Sequence, residues 1–387
     1  MSTPTFTKAL TLPEVASPLH LTLPSVPVPN PPPPGTCNVR ILATQLNAHF
    51  PSLMTGAVKY LTFPTPFVPG SSAIGRVLST GPDATLLKPG DLVWVDCFVR
   101  SRDDPATTQI LMGLHSGPTE AQIKLMQNGW PNGLYKTIAT APLENTYRLD
   151  ESALGRLQYT LPELAISLDR FAVAYGGISA VDLKAGQTFI VGPATGHFSG
   201  AAVELGVALG ARVIALSRNA SALEHLRATV SSTYPGSPPL ATVVISGDAA
   251  ADEAAIRSKL PAGSAGADAF LDISPGLGVQ PAHIPTAIAC LRPGGKVALM
   301  GGVYGNLDVN YAGIMFRNIS IKGQWMYSKE EAGQMLRMVE AGVAKVGKAA
   351  GYEVCGEYAL EEWEAAVDGL EGSEAWGKGV VFVPRDE

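Results

Sequence analysis

The stretch Val191-Gly192-Pro193-Ala194-Thr195-Gly196-His197-Phe198-Ser199-Gly200 joins a short apolar strand pattern, residues 188–191, to a helical pattern, residues 198–209. A strand, a glycine-bearing turn and a helix start together present free backbone N–H groups and the positive end of a helix to a pyrophosphate. The usual spacing is G-x-G-x-x-G. Here Ala194, Gly196 and Ser199 hold the three positions, with Gly192 and Gly200 beside them. Alanine and serine are small, so the backbone can still come close to a phosphate. Alone, the same residues also read as an ordinary strand-to-helix turn.

The residues downstream favour the dinucleotide reading. Strand patterns at 212–216, 242–245, 269–273 and 296–300 alternate with helical stretches, one of them at 220–228. That βαβ alternation predicts a parallel sheet with helices on both faces. The second strand runs out into Ser217-Arg218-Asn219. A fold that binds NAD usually places Asp or Glu there to accept from the ribose 2′-OH. A hydroxyl and a guanidinium suit a 2′-phosphate instead, which predicts a preference for NADPH (NADP+). The alternative is a helix-capping serine beside a solvated arginine.

Upstream of residue 160 the pattern is β-rich. Strand-like segments at 39–46, 73–79 and 91–96 are separated by Gly81-Pro82 and Lys88-Pro89-Gly90, and strand character returns at 134–140. Residues 26–34 are proline-rich and read as an extended connector, with a polyproline ligand as the alternative. Residues 100–133 read as a long polar loop with a helical piece at 119–126. The tail shows helices at 329–341 and 360–370 and strands at 352–355 and 379–383.

At 387 residues the chain exceeds what one hydrophobic core usually supports, so two domains are expected. A net charge of −6 without a dense Lys/Arg run argues against nucleic acid as a partner. No apolar run is long enough to span a membrane, and the first residues lack the pattern of a secretory signal. Cys37, Cys97, Cys290 and Cys355 are far apart, which fits free thiols in a cytoplasmic enzyme better than a disulfide framework.

Dispersed motifs in consistent order resemble the medium-chain dehydrogenase/reductase superfamily. Val68-Pro69-Gly70-Ser71-Ser72-Ala73-Ile74-Gly75-Arg76-Val77 resembles its V-x-G-H-E-x-x-G-x-V, and Lys88-Pro89-Gly90-Asp91-Leu92-Val93 its K-x-G-D-x-V turn. Pro142-Leu143-Glu144-Asn145 and residues 316–323 match further family segments. Ser217-Arg218 and residues 168–177 are similar to its NADP-dependent secondary alcohol dehydrogenases. The resemblance implies an α/β chain: a GroES-like catalytic domain at 1–160 and 325–387, a Rossmann domain at 161–324, and an active site in the cleft between them. It also implies a homodimer through the region of 305–311 and 319–323.

Zinc-dependent members hold the metal with a Cys, a His-Glu pair and a further Cys or Asp. By the resemblance those positions are Asn47, Ser71-Ser72 and Asp169. One carboxylate cannot hold zinc, which needs three or more such donors, so no bound metal is expected. Activation then falls to protein hydrogen bonds. His49 takes the place of the family's proton-relay hydroxyl and is a candidate acid, or else a packed or solvent-facing histidine. Asp169 either orients His49 or bonds backbone. Tyr175 lies near where relatives contact nicotinamide, or packs in the core. Asn47 is expected to bond substrate or the nicotinamide ribose.

The cofactor set comprises Gly192, Ala194, Thr195, Gly196, His197, Phe198, Ser199, Ser217 and Arg218, with Ser274, Met300, Gly301 and Gly302 at later strand ends. Phe63, Phe67 and Trp130 suggest a hydrophobic substrate wall. The leading expectation is an NADPH-dependent, zinc-independent reductase of a conjugated C=C bond in a small molecule such as an enone or quinone, within a biosynthetic pathway. A zinc-free carbonyl or imine reductase is the alternative on the same scaffold. An NADPH-binding protein without turnover is the alternative of a different class.

Overall fold

Alternation of side chains and apolar runs sort this chain into two large sheets, each with its own core, and two further two-stranded ribbons among the described residues. The computed structural model describes residues 5–59, 61–275 and 281–385. One compact unit takes the chain up to Asp169, Glu353–Glu374 and the stretch from Lys378; the other takes Arg170–Tyr352 and Ala375–Gly377.

The first unit is built on a seven-stranded sheet. Its strands run in the order Glu353–Tyr358, Lys378–Phe382, Thr36–Leu46, Ser72–Thr80, Leu92–Asp96, Thr146–Arg148, and Ile138–Pro142 also pairs with Thr36–Leu46. Pairing is antiparallel except between Glu353–Tyr358 and Lys378–Phe382. This is the GroES-like half of the fold. One of its core clusters gathers Leu10, Leu12, Leu46, Phe50, Phe67, Tyr135 and Phe382.

The second unit carries a six-stranded, all-parallel sheet in the order Ala241–Val244, Arg212–Ser217, Thr188–Gly192, Ala267–Asp272, Leu291–Leu299, Ser320–Gly323. Counted along the chain this is 3-2-1-4-5-6, the Rossmann order, which reverses direction beside Thr188–Gly192 and leaves a crevice at the carboxyl ends of the strands. Every residue of Thr188–Gly192 is buried, as expected for a strand covered on both faces.

The unit boundaries fall later than 160/161 and 324/325, and packing explains both. Helix Leu161–Ala180 is one element of 20 residues shared by the two units. In its second half, a Cβ on Gly176 would stand 2.3 Å from the Met326 carbonyl oxygen, so the chain after 325 lies directly on this helix. Helix Lys329–Glu340 then buries Ala332, Met335, Leu336 and Val339, which keeps it with the parallel sheet.

The strand expected at 134–140 starts only at Ile138. Before it, the chain bonds the N-terminal segment instead: Leu10 donates to the Tyr135 carbonyl at 2.9 Å and Thr137 to that of Lys8 at 3.1 Å. The long 100–133 segment holds strand Gln109–Leu111, helix Glu120–Lys124 with a Thr119/Gln122 capping box, and a π-helical turn Leu125–Gly129. Among the described residues no helix is long and apolar enough to cross a membrane.

Candidate functional site

The dinucleotide loop leaves strand Thr188–Gly192 and enters helix His197–Ala208 with Gly196 at the N-cap. First-turn N–H groups of a helix lack intrahelical acceptors and face outward, which is what a pyrophosphate requires. Ser199 closes the turn: its Oγ accepts from the Gly196 N–H at 3.2 Å. Ala194 is fully buried and its N–H bonds the Leu216 carbonyl at 2.7 Å, tying the loop to the next strand. His197 and Phe198 are partly buried in the first turn. Gly200 is the position where only glycine fits, because a Cβ there would lie 2.3 Å from the Trp376 ring. That tryptophan comes from the returning segment Ala375–Gly377, whose Ala375 bridges Gly196.

At the end of strand Arg212–Ser217, the Ser217 Oγ is 3.0 Å from the Thr195 Oγ1 and accepts from the Asn219 N–H at 3.2 Å. The cap of the following helix is Asn219, whose Oδ1 accepts from Ala222 at 3.0 Å, so Ser217 is not the capping residue. Arg218 is exposed and has no hydrogen-bond or ion-pair partner among the described residues.

Strand ends across the crevice form a buried polar cluster. Ser274 Oγ donates to Asp272 Oδ1 at 2.5 Å, and His283 Nε2 lies 3.2 Å from the same oxygen. The Gly302 N–H bonds the Ser274 carbonyl and Met300 the Asp272 carbonyl, both at 2.9 Å. A Cβ on Gly301 would meet Asp272 Oδ2 at 2.5 Å, and one on Gly192 would meet His283 Cδ2 at 3.1 Å. Met300, Gly301, Gly302, Ser274 and Gly192 are thus brought to one sheet edge. His283 and Trp376 were not read from the sequence. Each is an isolated ring in an unremarkable stretch, and only the tertiary fold places it.

In the first unit, Asn47 Oδ1 accepts from the His49 N–H at 2.8 Å at the start of the short helix Phe50–Met54. The His49 side chain is exposed and makes no hydrogen bond or ion pair among the described residues. Asp169 does not orient it; Asp169 Oδ2 accepts from Gln45 Nε2. Gln45 is in turn fixed through its carbonyl, which accepts from the Tyr135 hydroxyl at 2.9 Å. Burial, followed by the Asp96 and Asp169 charges, pushes the Cys97 thiol well up, so this cysteine is a neutral buried group. In the second unit, the Tyr175 hydroxyl donates to Gln334 Oε1 at 3.0 Å on helix Lys329–Glu340. That engagement gives no support to a catalytic Tyr175.

The substrate wall is corrected as well. Phe67 is 1% exposed inside the core and stacks on Phe63 at 4.6 Å, while Trp130 lines a separate cavity. The residues at the family's zinc positions do not fit the metal. Asn47 is a neutral amide whose Oδ1 accepts from the His49 N–H, the buried Ser72 hydroxyl accepts from Trp94 Nε1 at 2.9 Å, and Asp169 is held by Gln45. Among the described residues no group of three or more His, Cys, Asp or Glu side chains stands close enough to share an ion.

A family model described as alcohol dehydrogenase GroES-like domain matches residues 33–151, and one described as zinc-binding dehydrogenase matches residues 199–341. The second match lies wholly in the Rossmann unit and contains none of the candidate zinc positions. No curated protein sequence matches the chain significantly. Among solved structures, the fold is shared with AibC (22% identity, TM-score 0.76, 98% of this chain and 96% of that one). It is shared with an NAD-dependent alcohol dehydrogenase (22%, 0.72, 98% and 100%). It is also shared with a crotonyl-CoA carboxylase/reductase (16%, 0.76, 98% and 88%).

Proposed function

From the premise that this chain belongs to the medium-chain dehydrogenase/reductase superfamily and is an oxidoreductase of that type, we propose that it is an NADPH-dependent, zinc-independent reductase. Its substrate is a small organic molecule with a conjugated C=C bond, such as an enone or quinone. The carrying observation is the donor set at the family's metal positions: Asn47, Ser71 and Ser72 are neutral, and Asp169 is engaged by Gln45. Without a Lewis acid, an acceptor that is already electrophilic is favoured. The unpartnered Arg218 beside Ser217 supports NADPH over NADH.

A bound nicotinamide cofactor supplies the hydride. The chain's own residues do the rest. With its Oδ1 on the His49 N–H, Asn47 has its Nδ2 left to donate to the substrate carbonyl and stabilise enolate charge. The exposed His49 ring donates the proton that the α-carbon takes up once hydride has reached the β-carbon. The Asp272–Ser274–His283 cluster and the Gly301–Gly302 backbone hold the carboxamide end of the cofactor. The same donors would serve a carbonyl or imine, and Asn47 with His49 at one helix start is what favours that second reading. Our reading also takes it as a cytoplasmic enzyme, which its free cysteines support, and as a homodimer paired through strand Ser320–Gly323, which the exposure of that strand supports.

The test is turnover with 4-deuterated NADPH against enones, quinones, ketones and cyclic imines. Label on the β-carbon of an enone, at a rate unchanged by chelators, is expected. His49→Ala should lower kcat about 100-fold. Label only on a carbonyl or imine carbon moves the assignment to the second reading, and loss of turnover on chelation sinks the zinc-free proposal.

A further inference from the structure

A cavity of about 640 Å³ opens in the first unit beneath the proline-rich segment, a volume in the range that holds a small-molecule ligand. Pro27, Pro29, Trp130 and Pro131 form much of its wall, and Lys136 and Thr140 line it from alternate positions of one chain segment. None of Asn47, His49, Ser71 and Asp169 lines it.

Lys136 is partly buried, and its ammonium has no hydrogen bond or ion pair among the described residues. Burial alone lowers its pKa to about 8, with no neighbouring charge contributing. The other charged groups of the cavity are already occupied. Arg102 holds Glu144 at 2.8 and 3.3 Å, Asp103 accepts from Ser101, and Arg100 lies 4.2 Å over the Phe98 ring. A desolvated cation without a counter-ion is an unfavourable state that a ligand anion relieves. One free ammonium matches a monoanion, whereas a phosphate dianion calls for more free donors than this cavity offers. The indole and proline rings offer flat surfaces that suit an aromatic body. Trp130 is set in place by the π-helical turn, its N–H bonding the Leu125 and Met126 carbonyls, both at 3.1 Å.

We propose that this cavity is a second ligand site, which takes an aromatic carboxylate with its carboxylate on the Lys136 ammonium and its ring against Trp130. The site is separate from the reductase reading, because its occupancy is measured without cofactor or turnover.

The probe is 2-naphthoate, titrated calorimetrically into the whole protein, with methyl 2-naphthoate as the neutral counterpart. Saturable binding of the acid is expected. The ester, Lys136→Met and Trp130→Leu should each weaken it about tenfold or more. Affinity of the native protein for the acid should fall between pH 7 and pH 9 as Lys136 loses its proton, and Lys136→Met should show no such fall. NADPH affinity should be the same in all forms, and His49→Ala should bind naphthoate normally. Should Lys136→Met not fold, the ester and Trp130→Leu carry the test. Equal affinity for acid and ester, displacement by NADPH, weakening in His49→Ala, or no saturation at millimolar concentration overturns the proposal.

Discussion

Arg218 has an exposed guanidinium and no protein partner among the described residues, so its removal disturbs nothing else in the chain. In Arg218→Ala, kcat/KM with NADPH should fall at least about tenfold while that with NADH stays within about twofold, since a charge-assisted bond to the 2′-phosphate is lost. An unchanged NADPH/NADH ratio would remove this residue from cofactor choice. The placement of Ser217-Arg218 at the end of a parallel strand was legible in the sequence, because strand-end residues face the ligand crevice wherever a parallel sheet forms. The surroundings of His49 were not. Whether Asp169 reaches His49 or Gln45 depends on side-chain placement between helix Leu161–Ala180 and the end of strand Thr36–Leu46, distant in sequence, and no periodicity encodes that.

At the scale of elements, helix His197–Ala208 is fastened from its buried side. Glu204 is fully buried and accepts from the Tyr234 hydroxyl at 2.9 Å and the Tyr352 hydroxyl at 2.7 Å, tying this helix to the end of Ala220–Thr233 and to the close of the Rossmann unit. Burial raises its pKa from the ordinary 4.5 to about 8, against the lowering effect of the two hydroxyls. Between those values the folded chain binds a proton that the unfolded chain has released, so this group's contribution to stability falls as pH rises from about 4.5 to about 8. Glu204→Gln removes the linkage. Its Tm relative to the native protein should therefore climb across that window and level off above it; a constant difference would mean that Glu204 is already ionised in the fold. Helix His197–Ala208 and the strands flanking it were readable from apolar runs and turn residues. Helix Leu161–Ala180 was not delimited, because a helix buried on much of its surface has weak periodicity, and the π-helical turn at 125–129 leaves no local signal.

At the scale of the whole molecule, the parallel sheet ends in an uncovered edge. All four residues of strand Ser320–Gly323 are exposed, and among the described residues the strand has a partner on one side only, Leu291–Leu299. Just before it in the chain, at the short helix Tyr311–Met315, Phe316 is 79% exposed, Tyr311 80% and Met315 48%, a run of large apolar side chains open to solvent. An open edge with an apolar flank favours pairing with another strand, and a two-fold axis lets the same strand of a second copy serve. The protein should therefore run at about twice its 40.4 kDa in light scattering. Phe316→Asp with Ile321→Asp should return it to a single-chain mass, because like charges then face each other across the axis. Both substitutions lie well along the edge from the Asp272–Ser274–His283 cluster in sequence and share none of its hydrogen bonds, so NADPH binding should survive in the monomer. A native protein that scatters as a single chain would show that something other than a second copy covers this edge.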